Sequence, residues 1–205
     1  MATSSSPAVD AVIFDIGNVL VFHDNGLLHR RLAEAAGRQV DAVAELVAPQ
    51  LWDDIHRGDL DGEEIRRQVC AALGIEMGRD EFARLWSSHF AVNEAILPVV
   101  EGLIGKVKLV ALSNTNVLHA EYLLELLPLL KRFDHLVFSN ELRLTKPDPE
   151  FYREALRVAR VAASRAVFFD DVEEYVEAAR GVGILAYKYR SVPDLQSQLA
   201  RLGLP

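Results

Sequence analysis

The sequence predicts an α/β protein with a doubly wound, Rossmann-like parallel sheet of five core strands and an inserted small α-helical cap. Short apolar runs rich in β-branched residues alternate with helical segments, which is typical of a parallel sheet covered on both faces. One long stretch interrupts this alternation and shows only helical periodicity. We therefore expect an α/β core from residues 1–21 and 93–205, and a helical cap at residues 22–92.

The first strand is predicted from the run Val12–Val21, in which Asp15 interrupts the apolar side chains. An unpaired buried carboxylate is costly, so Asp15 belongs either at a solvated strand end or in a site that needs its charge. Gly17 and Asn18 tolerate the unusual backbone angles of a tight turn, so the chain can fold sharply around the acid.

The cap is predicted from helical periods alone, for example the recurrence of Ile65, Val69 and Leu73 on one face. Short breakers containing glycine or proline separate the helices. We expect no strand between about residues 24 and 92, and we expect Trp86 and Phe90 to belong to the core of the cap.

The second half of the chain alternates strands with helices. Its strands are predicted at Val107–Ser113, His135–Ser139, Ala166–Asp171 and Ile184–Tyr187. Right-handed crossovers place the C-terminal ends of all strands along one edge of the sheet. Ligands bind at such an edge, beside the point where the strand order reverses.

Ionisable and hydroxyl side chains lie at or just beyond the predicted strand ends, namely Asp15, Ser113, Lys146, Asp170 and Asp171. Three carboxylates at one edge repel one another, and a bound cation offsets that repulsion. Oxygen-only ligation favours Mg2+ over zinc. The predicted ligands are Asp15, Asp170, Asp171 and the backbone carbonyl of Gly17.

The same edge has the groups that phosphate chemistry requires. Lys146 would neutralise a phosphate, and Ser113 could donate a hydrogen bond to a phosphoryl oxygen. A carboxylate such as Asp15, held beside Mg2+ and a lysine, can act as a nucleophile toward phosphorus.

Each of these residues also has a purely structural interpretation. Asp15 could be a plain strand-end acid, and Lys146 an ordinary loop lysine. Asp171–Glu174 has the pattern of a helix capping box, with Asp at the cap and Glu three residues later. Ser113 and Asn114 could cap the helix that follows the second strand.

Composition narrows the range of partners. The 22 basic and 30 acidic side chains give a formal net charge of -8 without a basic stripe, so neither nucleic acid nor a membrane is an expected partner. Cys70 is the only cysteine, which excludes an intrachain disulfide and a thiolate metal cage. Residues 1–8 have the character of a frayed tail rather than a signal peptide, so a cytoplasmic protein is expected.

Four segments resemble, in order, the four motifs of the haloacid dehalogenase-like hydrolase superfamily. They are Phe14–Val21, Leu112–Asn116, Lys146–Tyr152 and Phe168–Asp171. The first, Phe-Asp-Ile-Gly-Asn-Val-Leu-Val, is similar to that of small capped phosphatases typified by sugar-1-phosphate phosphatases.

The resemblance implies a role for each predicted site residue. Asp15 would be the nucleophile, and Ser113, Asn114 and Lys146 would bind the substrate phosphate. Asp170 and Asp171 would hold Mg2+, with Asp171 favoured as the direct ligand. The implied activity is Mg2+-dependent hydrolysis of a small phosphorylated metabolite through an aspartyl-phosphate.

The chain departs from the superfamily pattern at two positions. Most of these phosphatases carry a second Asp two residues after the nucleophile as general acid and base, and here that position is Gly17. Such help is typically worth about 10²–10⁴ in rate. We therefore expect a weak phosphatase that favours leaving groups needing little protonation, such as anomeric sugar oxygens, phenols or acyl groups. Tyr175 stands where relatives commonly have Asn.

The sequence is also compatible with two rival functions. Dehalogenases of the superfamily attack carbon without a metal, but they usually carry Tyr-Gly-Thr after the nucleophile, which this chain lacks. A pseudophosphatase would keep the site for binding alone, and Gly17 favours that alternative. His23 and Asp24 are predicted as turn residues, with activation of the hydrolytic water as their alternative role.

Overall fold

The predicted doubly wound α/β fold is confirmed in the computed structural model, which describes residues 9–46 and 49–205. The predicted tail at residues 1–8 lies outside the described residues. Seven strands occur in the described part: β1 (Ala11–Phe14), β2 (Val21–His23), β3 (Phe90–Val92), β4 (Lys108–Ser113), β5 (His135–Phe138), β6 (Ala166–Asp170) and β7 (Leu185–Lys188).

Five of these strands form one parallel sheet in the order β5-β4-β1-β6-β7, so β1 is central. Its first residue, Ala11, pairs with Lys108 of β4 on one side and with Ala166 of β6 on the other. The chain runs outward from β1 through β4 to β5 and then returns to the opposite side at β6. The strand order therefore reverses between β1 and β6, where a ligand crevice is expected.

Helices cover both faces of this sheet. The eleven α-helices of the described residues are α1 (Asn25–Ala36), α2 (Val40–Leu46), α3 (Pro49–His56), α4 (Gly62–Leu73), α5 (Arg79–Trp86), α6 (Leu97–Leu103), α7 (Val117–Leu126), α8 (Ser139–Leu142), α9 (Pro149–Ala159), α10 (Glu173–Gly181) and α11 (Val192–Arg201). None of them has the length and apolarity needed to cross a bilayer.

The alternation of side chains along β1 separates two hydrophobic cores. Val12 and Phe14 belong to the core formed with α6, α7 and α11, while Ala11 and Ile13 belong to the core formed with α9 and α10. Successive side chains of a strand point to opposite faces, so a central strand buried on both sides must be apolar throughout. A polar residue such as Asp15 is therefore expected only after the end of this strand.

Helices α1–α5, here called the helical segment, bury a third core of their own. Leu32, Ile65, Phe82 and Trp86 are fully buried in it, and Leu118 of α7 joins them. Full burial of such a side chain stabilises the fold by about 1.5–3 kcal/mol. The segment is therefore held together mainly by contacts within itself.

The expectation of no strand between residues 24 and 92 is wrong for Phe90–Val92. This short strand, β3, pairs antiparallel with β2, so that Val21 lies opposite Val92 and His23 opposite Phe90. A three-residue strand is too short to show alternation, and Phe90 also fits the helical recurrence of α5. The pairing forms a ribbon through which the chain enters and leaves the helical segment.

Candidate active site

The C-terminal ends of three adjacent strands form the floor of a cavity of about 350 Å³. Asp15 follows β1, Ser113 ends β4, and Asp171 follows β6. Gly17, Asn114 and Lys146 also line this cavity. The structure thus places six of the seven predicted site residues around one cavity. The seventh, Asp170, is fully buried and contacts Lys146.

Lys146 lies between two carboxylates. Its Nζ is 2.7 Å from Asp15 Oδ1 and 2.7 Å from Asp170 Oδ2, and its side chain is only 1% exposed. Burial alone would lower the pKa of Lys146, but the two adjacent carboxylates outweigh burial and raise it. The ring of Tyr175 also lies 5.0 Å from Nζ, in cation–π geometry. Lys146 is therefore a fixed positive charge at the floor of the cavity.

Asp15 is nearly buried, and burial is the main reason that its pKa is raised, to about 7. Lys146 opposes this shift and Asp170 adds to it. The backbone N–H of Asp15 donates to Phe169 O at 2.9 Å, which extends the pairing of β1 with β6 to the acid itself. Asp15 thus occupies a defined position at the point where the strand order reverses.

The side chain of Asn114 holds the backbone of Lys146 from both sides. Its amide nitrogen donates to Lys146 O at 3.0 Å, and its carbonyl oxygen accepts from Lys146 N at 2.8 Å. These bonds join the loop after β4 to the loop that carries the lysine. Asn114 was predicted to bind substrate, and in the structure its side-chain amide positions Lys146.

Asp15, Asp170 and Asp171 each offer one carboxylate oxygen within 4.8 Å of the others. With Lys146 they leave a net charge of -2 when all are ionised, which would repel a phosphate. Oxygen donors this close, partly open to the cavity, fit Mg2+. Asp170 already accepts bonds at both oxygens, from Lys146 at 2.7 Å and from Val172 N at 2.8 Å. Asp171, which lines the cavity, is therefore the acid more open to a cation.

Sequence reasoning missed the part that Asn18 plays. Its backbone is left-handed, with φ of 52°, a conformation that Asn tolerates better than most residues. Its amide nitrogen donates to Asp171 Oδ2 at 3.1 Å and lies 3.3 Å from His23 Nε2. The turn prediction is thus confirmed at Asn18, whereas Gly17 does not adopt a positive φ. The link to Asp171 joins residues far apart in sequence, so no local pattern could reveal it.

The space beside Gly17 is occupied by the ring of His23. A Cβ atom added at Gly17 would lie 3.1 Å from His23 Cδ2 and 3.9 Å from Asp15 Oδ2. A side chain at this position would therefore stand next to Asp15, but only if His23 moved by a few tenths of an ångström. His23 ends β2 and lines the cavity, so it is more than a turn residue.

The opposite wall of the cavity comes from α3 and from the chain that follows α5. Trp52 and His56 belong to α3, His89 and Phe90 follow α5, and all four line the cavity. Trp86 is fully buried, as predicted, but Phe90 lies at the cavity rather than only in a core. Trp52 stacks on Trp86 with centroids 5.1 Å apart and an interplanar angle of 20°. Trp52 was not predicted as a cavity residue, because its helix gives no motif around it.

The helix-capping roles considered for Asp171, Ser113 and Asn114 are not found in the structure. Helix α10 has Val172, not Asp171, at its N-cap and shows no side-chain capping bond there. Helix α7 is capped by Asn116, whose side chain accepts from His119 N, rather than by Ser113 or Asn114. The residues predicted for the site are therefore not used as caps.

The chain is similar to several known proteins over most of its length. A family model for haloacid dehalogenase-like hydrolases matches residues 9–183. A D-ribitol-5-phosphate phosphatase from Bacteroides thetaiotaomicron is 25% identical over 202 residues, which cover 92% of this chain and 95% of the relative. A phosphorylated carbohydrates phosphatase from Thermotoga maritima is 29% identical over 191 residues, which cover 86% of this chain and 82% of that protein.

A solved structure shares the fold. It is a haloacid dehalogenase family enzyme from Bacteroides thetaiotaomicron in complex with magnesium and inorganic phosphate. It matches with a TM-score of 0.78 and 20% identity, covering 89% of this chain and 94% of the other.

Proposed function

This chain belongs to the haloacid dehalogenase-like hydrolase family, and from that premise we propose that it hydrolyses small phosphomonoesters, such as sugar phosphates, with Asp15 as the nucleophile and Mg2+ as the cofactor. The observation that carries the proposal is the meeting of Asp15, Lys146 and Asp171 at the cavity floor. The two relatives named as carbohydrate or ribitol phosphate phosphatases support the substrate class.

In the first step, a carboxylate oxygen of Asp15 attacks phosphorus, and the bond from phosphorus to the leaving oxygen breaks. Lys146 and the Ser113 hydroxyl hold the phosphoryl oxygens during the attack. Water then attacks the aspartyl-phosphate, releasing inorganic phosphate and restoring Asp15. The structure offers no carboxylic acid at position 17 to protonate the leaving oxygen. The first step is therefore expected to favour leaving groups that need little protonation.

Asp15, Asp171 and the carbonyl of Gly17 would hold the cation, with Asp170 completing the acidic set and fixing Lys146. Bound there, Mg2+ would offset the negative charge of the site and polarise the phosphoryl group.

We also propose that residues 22–92 act as a cap over a core formed by residues 1–21 and 93–205. The separate core of the helical segment and its cavity-lining side chains support that division.

A pseudophosphatase is the second candidate, and the absence of an acid at Gly17 is the observation that favours it. It would bind phosphate and cation at the same residues without efficient turnover. Dehalogenation is a third candidate, but the chain lacks the Tyr-Gly-Thr that usually follows the nucleophile of dehalogenases.

Turnover of an aryl phosphate, with and without Mg2+, tests the proposal. The Asp15→Asn variant is expected to lose at least about 1,000-fold in kcat, because a nucleophile cannot be replaced by an amide. The matched control is Asp10→Asn, at the opposite end of β1, where Asp10 is exposed and paired with Arg165. The control is expected to stay within about twofold of the parent.

Three outcomes would point elsewhere. Phosphate binding without turnover would identify a pseudophosphatase. Metal-independent release of halide from a 2-haloacid would identify a dehalogenase. Equal turnover by Asp15→Asn and the parent protein would remove Asp15 from the mechanism.

A further inference from the structure

The wall that faces the proposed phosphate site differs in chemistry from the floor. Among the described residues that line the cavity, Lys146 is the only lysine or arginine. The stretches outside the described residues, 1–8 and 47–48, contain no lysine or arginine either. Lys146 is already shared by two carboxylates 2.7 Å away. Beyond Lys146, none of the described residues that line the cavity is a lysine or arginine that could pair with an additional anionic group of a substrate.

Three of the four histidines that line the cavity do not replace a missing cation, and the fourth, His23, lies beside Gly17 and Asn18. Burial is the main cause that lowers the pKa of His56 to about 4 and that of His89 to about 4. Burial also lowers the pKa of His119, which lines the cavity from α7. All three rings are therefore neutral near pH 7.

Flat rings make up much of the rest of the wall. Trp52 is half-buried and stacks on Trp86, which in turn stacks on Phe82 at 5.5 Å and on His119 at 5.8 Å. Within this stack, Trp52 is the tryptophan that a ligand in the cavity can contact. Phe90 packs against His89 with centroids 4.3 Å apart and also lines the cavity. Stacked rings are rigid and bind flat, uncharged surfaces well.

Resting on the proposed phosphatase function, we propose that the substrate carries a single phosphate on an uncharged leaving group with a flat ring face, which packs on Trp52 and Phe90. Compounds with a second phosphate or a carboxylate on the leaving group are excluded. A second anion would lose its hydration against neutral rings without gaining a partner, which is costly. The formal net charge of -8 opposes it further.

The test uses two nearly isosteric ligands, 3-carbamoylphenyl phosphate and 3-carboxyphenyl phosphate, which differ by one charge. Their dissociation constants are measured by calorimetry in Mg2+ on the Asp15→Asn variant, so that turnover does not interfere. We expect the carbamoyl compound to bind about 100-fold more tightly, corresponding to one unpaired anion. Equal affinity would overturn the proposal. Because the ratio is measured without turnover, it is independent of whether the wild-type protein is an active phosphatase.

Variants then locate the ring-binding wall. In the Asp15→Asn background, Trp52→Ala is expected to weaken binding of the carbamoyl compound about tenfold, while Trp52→Phe retains most of the affinity. The control is Phe22→Ala, which removes an aromatic ring that is 50% exposed and does not line the cavity. In a gain-of-function variant, His56→Lys should improve binding of the carboxylate at least tenfold. Unchanged affinity in Trp52→Ala, or no gain in His56→Lys, would contradict the proposal.

Discussion

Gly17, two residues after the proposed nucleophile, lies against the ring of His23. The ring of His23 fills the space where a side chain would stand, 3.1 Å from the position of an added Cβ. Gly17 does not adopt a positive φ, so the restriction comes from this neighbour rather than from the backbone. The missing acid and the position of His23 are therefore linked features of the site.

Gly17→Asp should raise turnover of alkyl phosphates, whose leaving oxygen needs a proton, more than turnover of aryl phosphates. The gain is expected to reach at least about tenfold, below the upper range of general acid catalysis. It should be larger in Gly17→Asp/His23→Ala, because the truncated residue leaves room for the new carboxylate. The measurement is kcat for an alkyl and an aryl phosphate side by side. Gly17→Asn is the isosteric control without an acid, and unchanged alkyl turnover in both Asp variants would contradict the idea.

At the scale of elements, the site depends on contacts between loops that follow different strands. Asn114 follows β4 and holds both backbone groups of Lys146. The lysine in turn pairs with Asp15, which follows β1, and with Asp170, which ends β6. A change at Asn114, in the loop after β4, would therefore shift the charged side chain of Lys146, which lies in a different loop.

Asn114→Ala is expected to lower kcat/KM by about 10- to 100-fold, because small displacements of a catalytic group are that costly. It should also lower the free energy of unfolding by about 1–3 kcal/mol, because two backbone groups of Lys146 lose partners. Asn116→Ala is the matched control in the same loop. It removes the cap of α7, worth about 1 kcal/mol, without touching Lys146. Equal losses of activity in the two variants would show that stability alone explains the effect.

The same contacts mark the boundary of what the sequence could predict. The start of α9 can be read from contiguous residues, because Asp148 caps the helix and Pro149 is its first residue. The strands of the sheet could be predicted because each is a contiguous apolar run. The family could be recognised because each of its motifs is contiguous. The bonds of Asn18 to Asp171 and of Asn114 to Lys146, and the pairing of β3, were not. Each joins segments that meet only after the chain has folded.

Across the whole molecule, buried histidines couple stability to pH. His89 is only 5% exposed, and burial is the main cause that lowers its pKa to about 4. His23 and Arg31 act in the same direction, while Asp24 and the bond to Trp86 O oppose the shift. The unfolded state then binds more protons than the folded state between about pH 4 and 6.5, so stability rises with pH across that window.

Urea unfolding at about pH 5 and about pH 7 measures this effect. We expect His89 to contribute of the order of 1–2 kcal/mol to the difference between the two conditions. Asp15 acts with the opposite sign, because burial raises its pKa. The parent protein and His89→Asn must therefore be compared with each other, since Asp15 is common to both. The variant is expected to show a smaller loss of stability on acidification, and an equal loss would contradict the prediction.

The ribbon formed by β2 and β3 brings two distant points of the chain side by side, with Val21 opposite Val92. Paired strands lie about 5 Å apart. The chain therefore enters and leaves the intervening segment, residues 24–89, at two points that lie side by side. Insertions or deletions in the intervening helices need not change the distance between β2 and β3. The entropic cost of closing a loop also grows only slowly with its length. Changes of length in these helices can therefore alter the wall of the cavity while the strand ends that hold the acids keep their register.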